Sequence, residues 1–287
     1  MATNGTRPTK AERLDAARDK ARAAREAEER RQQRSLWTKI GIIALVVLLV
    51  VAGGFWYYFG VVKPNNTAAD QGPIPTNANA YGGVTLNSPT SVVPTTTGGT
   101  VDVTPLKDVK GTPGATPSPE GVNKTAKPAQ IIVFADALCP HCAEFENTYG
   151  PQLEKWLGDK QVTVEYRMVS VISSSTNYPA RAANALYCVA DAKPEAFQST
   201  VKAIFADQKE RNNASLAQLA SDNGAPGLEG CIDNGTFRPY AAYSQGLFNK
   251  ASIGGTPSVF INGEYWDMQA NGDFTAWAEP LIAAANK

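Results

Sequence analysis

The stretch that decides the fold is FADALCPHC, Phe134 to Cys142, which contains the only His of the 287-residue chain and two of its four Cys. Directly upstream, AQIIVFADA (129–137) is a short apolar run rich in β-branched residues, which predicts a buried strand. Downstream, AEFENTYGPQLEKWLG (143–158) has apolar residues at helical spacing and predicts a helix, with a kink or break at Pro151. The two Cys therefore lie where a strand passes into a helix.

Four kinds of site use closely spaced cysteines, and the sequence separates them. Covalent haem attachment needs a His directly after the second Cys, but Ala143 stands there. Structural zinc usually needs a second close ligand pair, whereas Cys188 and Cys231 are 46 and 89 residues beyond Cys142. A purely structural disulfide across two residues closes a ring too small to stabilise a long chain. A redox-active pair of thiols is therefore the favoured interpretation.

The redox interpretation rests on the start of the helix. Cys139 precedes Pro140, a residue suited to the first helical turn, so its thiol meets unpaired backbone N–H groups and the positive end of the helix dipole. Both stabilise a thiolate and lower the pKa of the thiol. His141 is expected to stabilise the same anion, and Cys142 to act as the resolving thiol. A stabilised thiolate favours the reduced form, so the pair is predicted to be an oxidant.

A second motif lies far along the chain. IGGTPSVFING, Ile253 to Gly263, predicts a cis-proline at Pro257, because a Pro after two Gly opens a strand there. The Asn-Gly pair that follows is typical of a two-residue hairpin turn. Between the two motifs, QVTVEYRMVSVI (161–172) predicts a second strand and the Ala-rich residues 173–252 predict an all-helical block of about four helices. A last helix is expected over residues 273–285.

These two motifs together resemble the thioredoxin superfamily. The Cys-Pro-His-Cys pair, with a helical block before the Thr-Pro, is similar to DsbA-like oxidoreductases, and the N-terminal segments are similar to the membrane-anchored type of Gram-positive bacteria. The resemblance covers residues 129–287 and implies an α/β, thioredoxin-like fold with an inserted all-helical subdomain. It also implies that Thr256 and Pro257 form the cis-proline loop beside the active cysteines, where the backbone pairs with the substrate chain.

Two further predictions concern single residues of the domain. Asp136, three residues before Cys139, is either a proton relay for Cys142 or a residue that binds backbone groups of the loop. Cys188 and Cys231 are expected to form a structural disulfide, because free thiols outside the cytoplasm tend to be oxidised. A regulatory disulfide is the alternative.

The first 62 residues predict a membrane anchor. Residues 40–62 contain no charge, and about 20 apolar residues suffice to cross a hydrocarbon core. Residues 7–39 hold eleven Lys or Arg against six Asp or Glu. The positive-inside rule therefore predicts a charged cytoplasmic arm over 1–39, a single transmembrane helix over 40–62 and a catalytic domain outside the cell membrane. A cleaved signal peptide is less favoured because its apolar region is shorter.

The region between anchor and domain is compositionally different. Residues 63–128 are dominated by Pro, Gly, Thr, Asn and Ser and predict a flexible extracytoplasmic stalk. Within it, YGGVTLNS (81–88) is a candidate early strand of the domain that follows, and both interpretations stay open.

The predicted function is an extracytoplasmic thiol-disulfide oxidoreductase, an oxidase that introduces disulfides into secreted proteins. By resemblance, its substrates are the thiols of unfolded secreted proteins, and a quinone-linked membrane protein of the DsbB or VKOR kind reoxidises it. Because Thr256 is shared with reducing and isomerising relatives, a membrane-tethered reductase or isomerase is the alternative, and a non-catalytic thioredoxin-like binding module is another. No cofactor, metal or nucleic acid is expected, and lipid contact is expected through the one helix.

Overall fold

The computed structural model describes residues 10–62, 67–95 and 98–287. The chain divides into two compact units, Met1–Val61 and Val62–Lys287.

The N-terminal unit is built on one long helix, α1 (Lys10–Tyr57), which is followed by a π-helical turn, Tyr58–Val62. The large apolar side chains between Leu36 and Phe59 are all exposed. By its length and composition, this helix is long and apolar enough to cross a membrane. The charged arm predicted over residues 1–39 is helical from Lys10 onward, and its first nine residues lie outside the described range.

The C-terminal unit is organised around a mixed sheet. The strands of this unit are β1 (Gln71–Pro73), β2 (Val84–Ser88), β3 (Ser91–Val92), β4 (Thr100–Asp102), β5 (Ala129–Ala135), β6 (Val162–Met168), β7 (Ser258–Ile261) and β8 (Glu264–Tyr265). Among the described strands, β1 pairs with β4, and the other six form one sheet in the order β3-β2-β6-β5-β7-β8. Only β5 and β6 are parallel there, and the other neighbours are antiparallel.

The helices of this unit cover the sheet and build the insert. They are α2 (Pro140–Gly158), α3 (Tyr178–Ala192), α4 (Phe197–Ala206), α5 (Asn213–Asp222), α6 (Glu229–Asn234), α7 (Arg238–Lys250), α8 (Met268–Asn271) and α9 (Phe274–Ala285). Helix α2 connects β5 to β6, and the block predicted over residues 173–252 contains five α-helices where about four were expected. The chain is thus a thioredoxin-like α/β fold with an all-helical insert, as predicted.

The central strand β5 shows why the fold forms. Its residues alternate between two apolar layers: Ile131 and Val133 lie in the larger core cluster, and Ile132 and Phe134 lie in a second cluster on the opposite face. A strand covered on both faces needs a continuous apolar run rather than an alternating one. The sequence of β5 has such a run, so it can lie only in the middle of the sheet.

Helix α2 continues through Pro151, where the sequence predicts a kink or break. Proline removes one backbone hydrogen bond from a helix interior. The Pro151 side chain is exposed, while Phe145 and Leu153 on the opposite side are buried in the core. Packing of the apolar face therefore keeps the helix in one piece.

The region predicted as a flexible stalk is different in the structure. Strand β2 joins the main sheet beside β6, with Val84 opposite Tyr166 and Leu86 opposite Val164. Val84 and Leu86 are fully buried, so the candidate early strand belongs to the domain. The described residues of 67–128 contain four short strands in all. Composition concealed them because none contributes more than two apolar residues between turn-forming neighbours.

A buried ion pair on β6, Arg167 with Glu165, binds the segment before β5, here called the N-terminal extension (residues 67–128), to the sheet. Arg167 donates through Nε to Glu165 Oε1 at 2.6 Å and through Nη1 to the Glu120 carbonyl at 2.8 Å. Asn79 Nδ2 donates to the same Glu165 oxygen at 2.8 Å. The Arg167 guanidinium also lies 5.8 Å from the ring centre of Tyr81. Since buried charges must be paired and hydrogen-bonded, Asn79 and the Glu120 carbonyl of the extension supply hydrogen bonds that this buried ion pair needs.

A disulfide closes the helical insert. Cys188 on α3 and Cys231 on α6 are bonded to each other, and Cys188 is fully buried. The bond joins positions that are 43 residues apart, so it closes a long loop within the insert.

Replacing both Cys188 and Cys231 by Ser is expected to lower the free energy of unfolding by about 4 kcal/mol, because the open loop gains chain entropy when unfolded. Denaturant unfolding of the oxidised full chain in detergent measures this. The matched control is the double replacement of Cys139 and Cys142 by Ser, which keeps the long loop closed and is expected to change stability far less. Equal stability of the two double variants would contradict the assignment of Cys188–Cys231 as a structural staple.

Candidate active site

The redox loop, residues 136–139, connects the end of β5 to the first turn of α2. Cys139 is the N-cap residue of α2, and Pro140 occupies the first turn, where its missing N–H leaves no hydrogen bond unmade. The N–H of Cys142 donates to the Cys139 carbonyl at 3.0 Å. Strand and helix together therefore place the two thiols at the N-terminal end of α2.

Cys139 carries the more acidic of the two thiols. Its Sγ lies 3.1 Å from the Thr256 carbonyl, to which the thiol donates. A hydrogen bond with the Cys142 thiol, assisted by the Thr256 side chain and by the N–H groups of Cys142 and His141, lowers the pKa of Cys139 to about 5 despite partial burial. Donors gathered at a helix N-terminus stabilise a thiolate in this way.

Cys142 has the opposite electrostatic environment. Its side chain is 1% exposed, and burial, reinforced by the neighbouring Cys139, raises the pKa of the Cys142 thiol far above the ordinary value. The two thiols are free in this structure. One is therefore prepared to ionise and the other to keep its proton.

The cis-proline loop lies beside Cys139. The Thr256–Pro257 peptide bond is cis, and β7 begins one residue later, at Ser258. Ser258 lies opposite Phe134 in the antiparallel β5–β7 pair, which places the loop at the same end of the sheet as the redox loop. Two residues 117 positions apart, Cys139 and Thr256, thus come into hydrogen-bond contact.

His141 contacts Cys139 through its backbone, and a contribution of its imidazole stays a prediction. Its side chain is 70% exposed, with Nδ1 3.5 Å from Glu144 Oε2. The contact by which His141 lowers the pKa of Cys139 is made by its backbone N–H. The imidazole faces solvent because position 141 is on the outer side of the first turn, whereas Cys142 points into the core.

Asp136 binds the backbone of two loops. Its Oδ1 accepts the N–H of Leu138 at 2.8 Å, and its Oδ2 accepts the N–H groups of Val171 and Ile172 at 2.7 and 2.8 Å. Burial raises the pKa of the Asp136 carboxyl. In the described part of the chain, the contact of Asp136 with Cys142 runs through the Asp136 backbone. These bonds favour the loop-binding interpretation, and the proton relay stays a prediction.

Two polar residues near the thiols were missed by the sequence reasoning. Glu146 lies one helical turn after Cys142, and burial raises the pKa of its carboxyl to about 7. Tyr166 donates to its Oε2 at 3.1 Å, while its Oε1 has no partner among the described residues. The four-residue spacing on one helix face was an available signal for Glu146.

Gln208 is the second missed residue. It belongs to the helical insert, and its Nε2 donates to the carbonyl oxygens of Ala137 and Cys139. No sequence signal marks it, because it lies 69 residues from Cys139. In the described ranges, no cluster of three or more His, Cys, Asp or Glu side chains is arranged to hold a metal ion.

The chain matches one protein-family model, Thioredoxin_4, described as thioredoxin, over residues 123–279. That is more than half of the 287 residues, and it includes both the redox loop and the cis-proline loop.

Curated relatives include the serine/threonine-protein kinase PknE of Mycobacterium tuberculosis, with 31% identity over 180 residues. The match covers 56% of this chain but 31% of the kinase, so this chain spans about a third of that relative's length.

Solved structures with a similar fold include the thiol-disulfide oxidoreductase MdbA of Actinomyces oris, with 18% identity and a TM-score of 0.53 over 77% of this chain and 95% of that one. Reduced DsbA of Mycobacterium tuberculosis matches with 28% identity and a TM-score of 0.45 over 63% of this chain and 94% of that one. The likeness to MdbA concerns the fold.

Replacing Glu146 by Gln is expected to stabilise the protein above neutral pH. The pKa of Glu146 is higher in the folded chain than in the unfolded chain, so the native state holds its proton more tightly and loses stability as the pH rises from about 4.5 to about 7. At pH 8 this loss amounts to about 3 kcal/mol, and Glu146→Gln is expected to recover most of it. Unfolding free energies at pH 5 and pH 8 test this, with exposed Glu144→Gln as control. A variant with the pH dependence of the wild type would contradict it.

Replacing Cys142 by Ala is expected to raise the pKa of Cys139, because the Cys142 thiol makes the largest contribution to lowering it. Cys142→Ser keeps a hydroxyl donor at the same place and is expected to raise it less. The thiolate absorbance at 240 nm, followed from pH 3 to pH 9, gives both values. Identical titrations for the two variants would show that the donor at position 142 is not what stabilises the thiolate.

Proposed function

The chain belongs to the thioredoxin family, and we propose that this DsbA-type thiol-disulfide oxidoreductase works as an oxidase, introducing disulfide bonds into proteins outside the cytoplasm. The observation that carries the proposal is the difference between the two thiols of the active site. The pKa of Cys139 is lowered to about 5 and that of Cys142 is raised. A couple with one strongly stabilised thiolate favours its reduced form and therefore oxidises other thiols.

The reaction begins from the Cys139–Cys142 disulfide. A substrate thiolate attacks Cys139 Sγ, the bond to Cys142 breaks, and the leaving Cys142 sulfur takes up a proton because its pKa is high. A mixed disulfide then joins Cys139 to the substrate. A second substrate thiolate attacks the substrate sulfur of that bond, and Cys139 leaves as the thiolate. Two electrons have passed from the substrate dithiol to the protein.

The low pKa of Cys139 favours the second half of this sequence, and its position favours the first. A thiol of low pKa leaves faster from a mixed disulfide, since its thiolate is the more stable leaving group. Cys139 is 5% exposed, against 1% for Cys142, so the attacking sulfur reaches Cys139 first. This assigns Cys139 to the exchange with substrate and Cys142 to closing the internal disulfide.

Space for the substrate chain lies before the cis-proline. A Cβ atom added at Gly254 or Gly255 would meet no other atom within 4 Å. Neither glycine has a positive φ, so the local backbone does not require glycine at either position. We assign this open strip, together with Thr256 and Pro257, to the approach of an extended substrate segment towards Cys139.

The location and the partners are part of the same proposal. One apolar helix anchors the chain in the cell membrane, with residues 1–39 in the cytoplasm and the redox domain outside, as the charge distribution favours. The substrates are then thiols of unfolded secreted proteins. A quinone-linked membrane protein of the DsbB or VKOR kind accepts the two electrons from Cys139 and Cys142 and restores their disulfide. The contact with lipid is confined to the helix, and nucleic acid takes no part.

The reduction potential of the Cys139–Cys142 couple tests the direction of the reaction. The full chain in detergent is equilibrated with mixtures of reduced and oxidised glutathione, and the fraction of reduced protein is measured by thiol alkylation. We expect a potential clearly less negative than the cytosolic glutathione range, which begins at about −220 mV. A potential at or below that range would reject the oxidase and favour the reductase or isomerase.

Turnover of a reduced, unfolded dithiol protein separates catalysis from binding. Oxidation of that substrate is expected to stop in Cys139→Ser and to be unaffected by the paired replacement of Cys188 and Cys231, once folding of the variant is verified. A wild type that does not oxidise this substrate above the uncatalysed rate would favour a non-catalytic binding module, and retained turnover in Cys139→Ser would show that Cys139 is not the reacting thiol.

A further inference from the structure

The helical insert reaches the redox loop through one side chain. Gln208 lies in the connection between α4 and α5, and its Nε2 donates to the Cys139 carbonyl at 2.8 Å and to the Ala137 carbonyl at 3.1 Å. The side chain is half-buried. Both acceptors belong to the four residues that lead into α2, so this amide joins the insert to the part of the chain that carries the reactive thiol.

A displacement of the Cys139 carbonyl would affect the start of helix α2. The carbonyl also accepts the N–H groups of Cys142 at 3.0 Å and Ala143 at 3.2 Å, and these bonds start the helix. The peptide plane that Gln208 binds therefore sets how the first turn of α2 is placed relative to Cys139 Sγ. The N–H groups of His141 and Cys142, which lower the pKa of Cys139, belong to that turn.

The redox loop is held from two directions. Asp136 binds its donors, since the carboxylate accepts the Leu138 N–H and the Asp136 carbonyl accepts the Cys139 N–H at 3.0 Å. Gln208 binds its acceptors, the carbonyls of Ala137 and Cys139. Asp136 is itself a loop residue, and its carboxylate joins the loop to the N–H groups of Val171 and Ile172 after β6. Gln208 joins the loop to the insert, so the two attachments come from different parts of the fold.

We propose that Gln208 is a positioning residue for thiol-disulfide exchange: it holds the redox loop so that the Cys139 thiolate stays within reach of the N–H groups of the first turn of α2. The inference deepens the proposed function, because a better-stabilised thiolate makes the couple more oxidising. A glutamine suits this role because one amide nitrogen carries two hydrogens for two carbonyls. A glutamate of the same shape would offer only acceptors when ionised and would place a negative charge near the thiolate.

The test compares Gln208→Leu with wild type in the full chain, in detergent. Gln208→Leu keeps most of the side-chain volume and removes both donors. We expect the pH profile of Cys139 alkylation by iodoacetamide to move to higher pH. We also expect the equilibrium with glutathione to shift about three- to tenfold towards the oxidised protein, the change that loss of one or two hydrogen bonds produces. Gln208→Glu is expected to shift both quantities further.

The control is Gln218→Leu, the same replacement on α5 of the same insert. Gln218 Nε2 donates to Asp222 on the exposed face of that helix, so the variant is expected to match wild type in both measurements. Thermal unfolding of the oxidised and reduced forms adds a readout that a purely structural residue would not give. The positioning role predicts that Gln208→Leu destabilises the reduced form more than the oxidised form.

Gln208→Leu with the alkylation profile and glutathione equilibrium of wild type would overturn the inference, as would equal destabilisation of both redox forms. If Gln208→Leu does not fold, the isosteric Gln208→Glu decides by the same two measurements. The wild-type potential is read separately. A wild-type couple at or below the glutathione range, with Gln208→Leu still shifted, would reject the oxidase and keep the positioning role. An oxidising wild-type couple with an unshifted Gln208→Leu variant would keep the oxidase and reject the positioning role.

Discussion

The site depends on the antiparallel pairing of β5 with β7. Phe134 lies opposite Ser258, so the strand that leads into Cys139 ends beside the strand that Thr256 and Pro257 precede. A shift of one residue would turn Phe134 and its neighbours to the wrong side of the sheet. The hydrophobic layers on both faces of β5 therefore specify the register, and the 3.1 Å contact between Cys139 and Thr256 is a consequence of it.

Position on one helix then makes two identical thiols chemically different. Cys139 precedes α2 and meets the Cys142 thiol and the N–H groups of the first turn, while Cys142 lies three residues further and faces the apolar core. The first environment stabilises a negative charge, and the second opposes it. Both environments result from the start of a single helix, which places the two thiols three residues apart.

Buried and half-buried polar side chains hold the surroundings of this pair in place. Asp136 links the redox loop to the loop after β6, Gln208 links it to the helical insert, and Arg167 links the sheet to the N-terminal extension. In each case the polar group binds backbone atoms of a segment without regular structure. Such segments have few apolar contacts of their own, so hydrogen bonds from these side chains give them a defined position.

The sequence by itself determined the β-α-β start, the helical insert, the hairpin, the cysteine motif and the Thr-Pro motif. Local patterns encode them: the apolar run of β5, the helical spacing after Cys142 and the Pro-strand signal at Pro257. Tertiary structure alone decided that β2 completes the sheet, that His141 contributes its backbone N–H, and that Gln208 reaches the redox loop. These features arise from contacts between distant segments, where short strands and single polar residues carry no periodic signal. Local sequence patterns specify the helices and strands, and tertiary packing specifies which side chains and backbone groups come into contact.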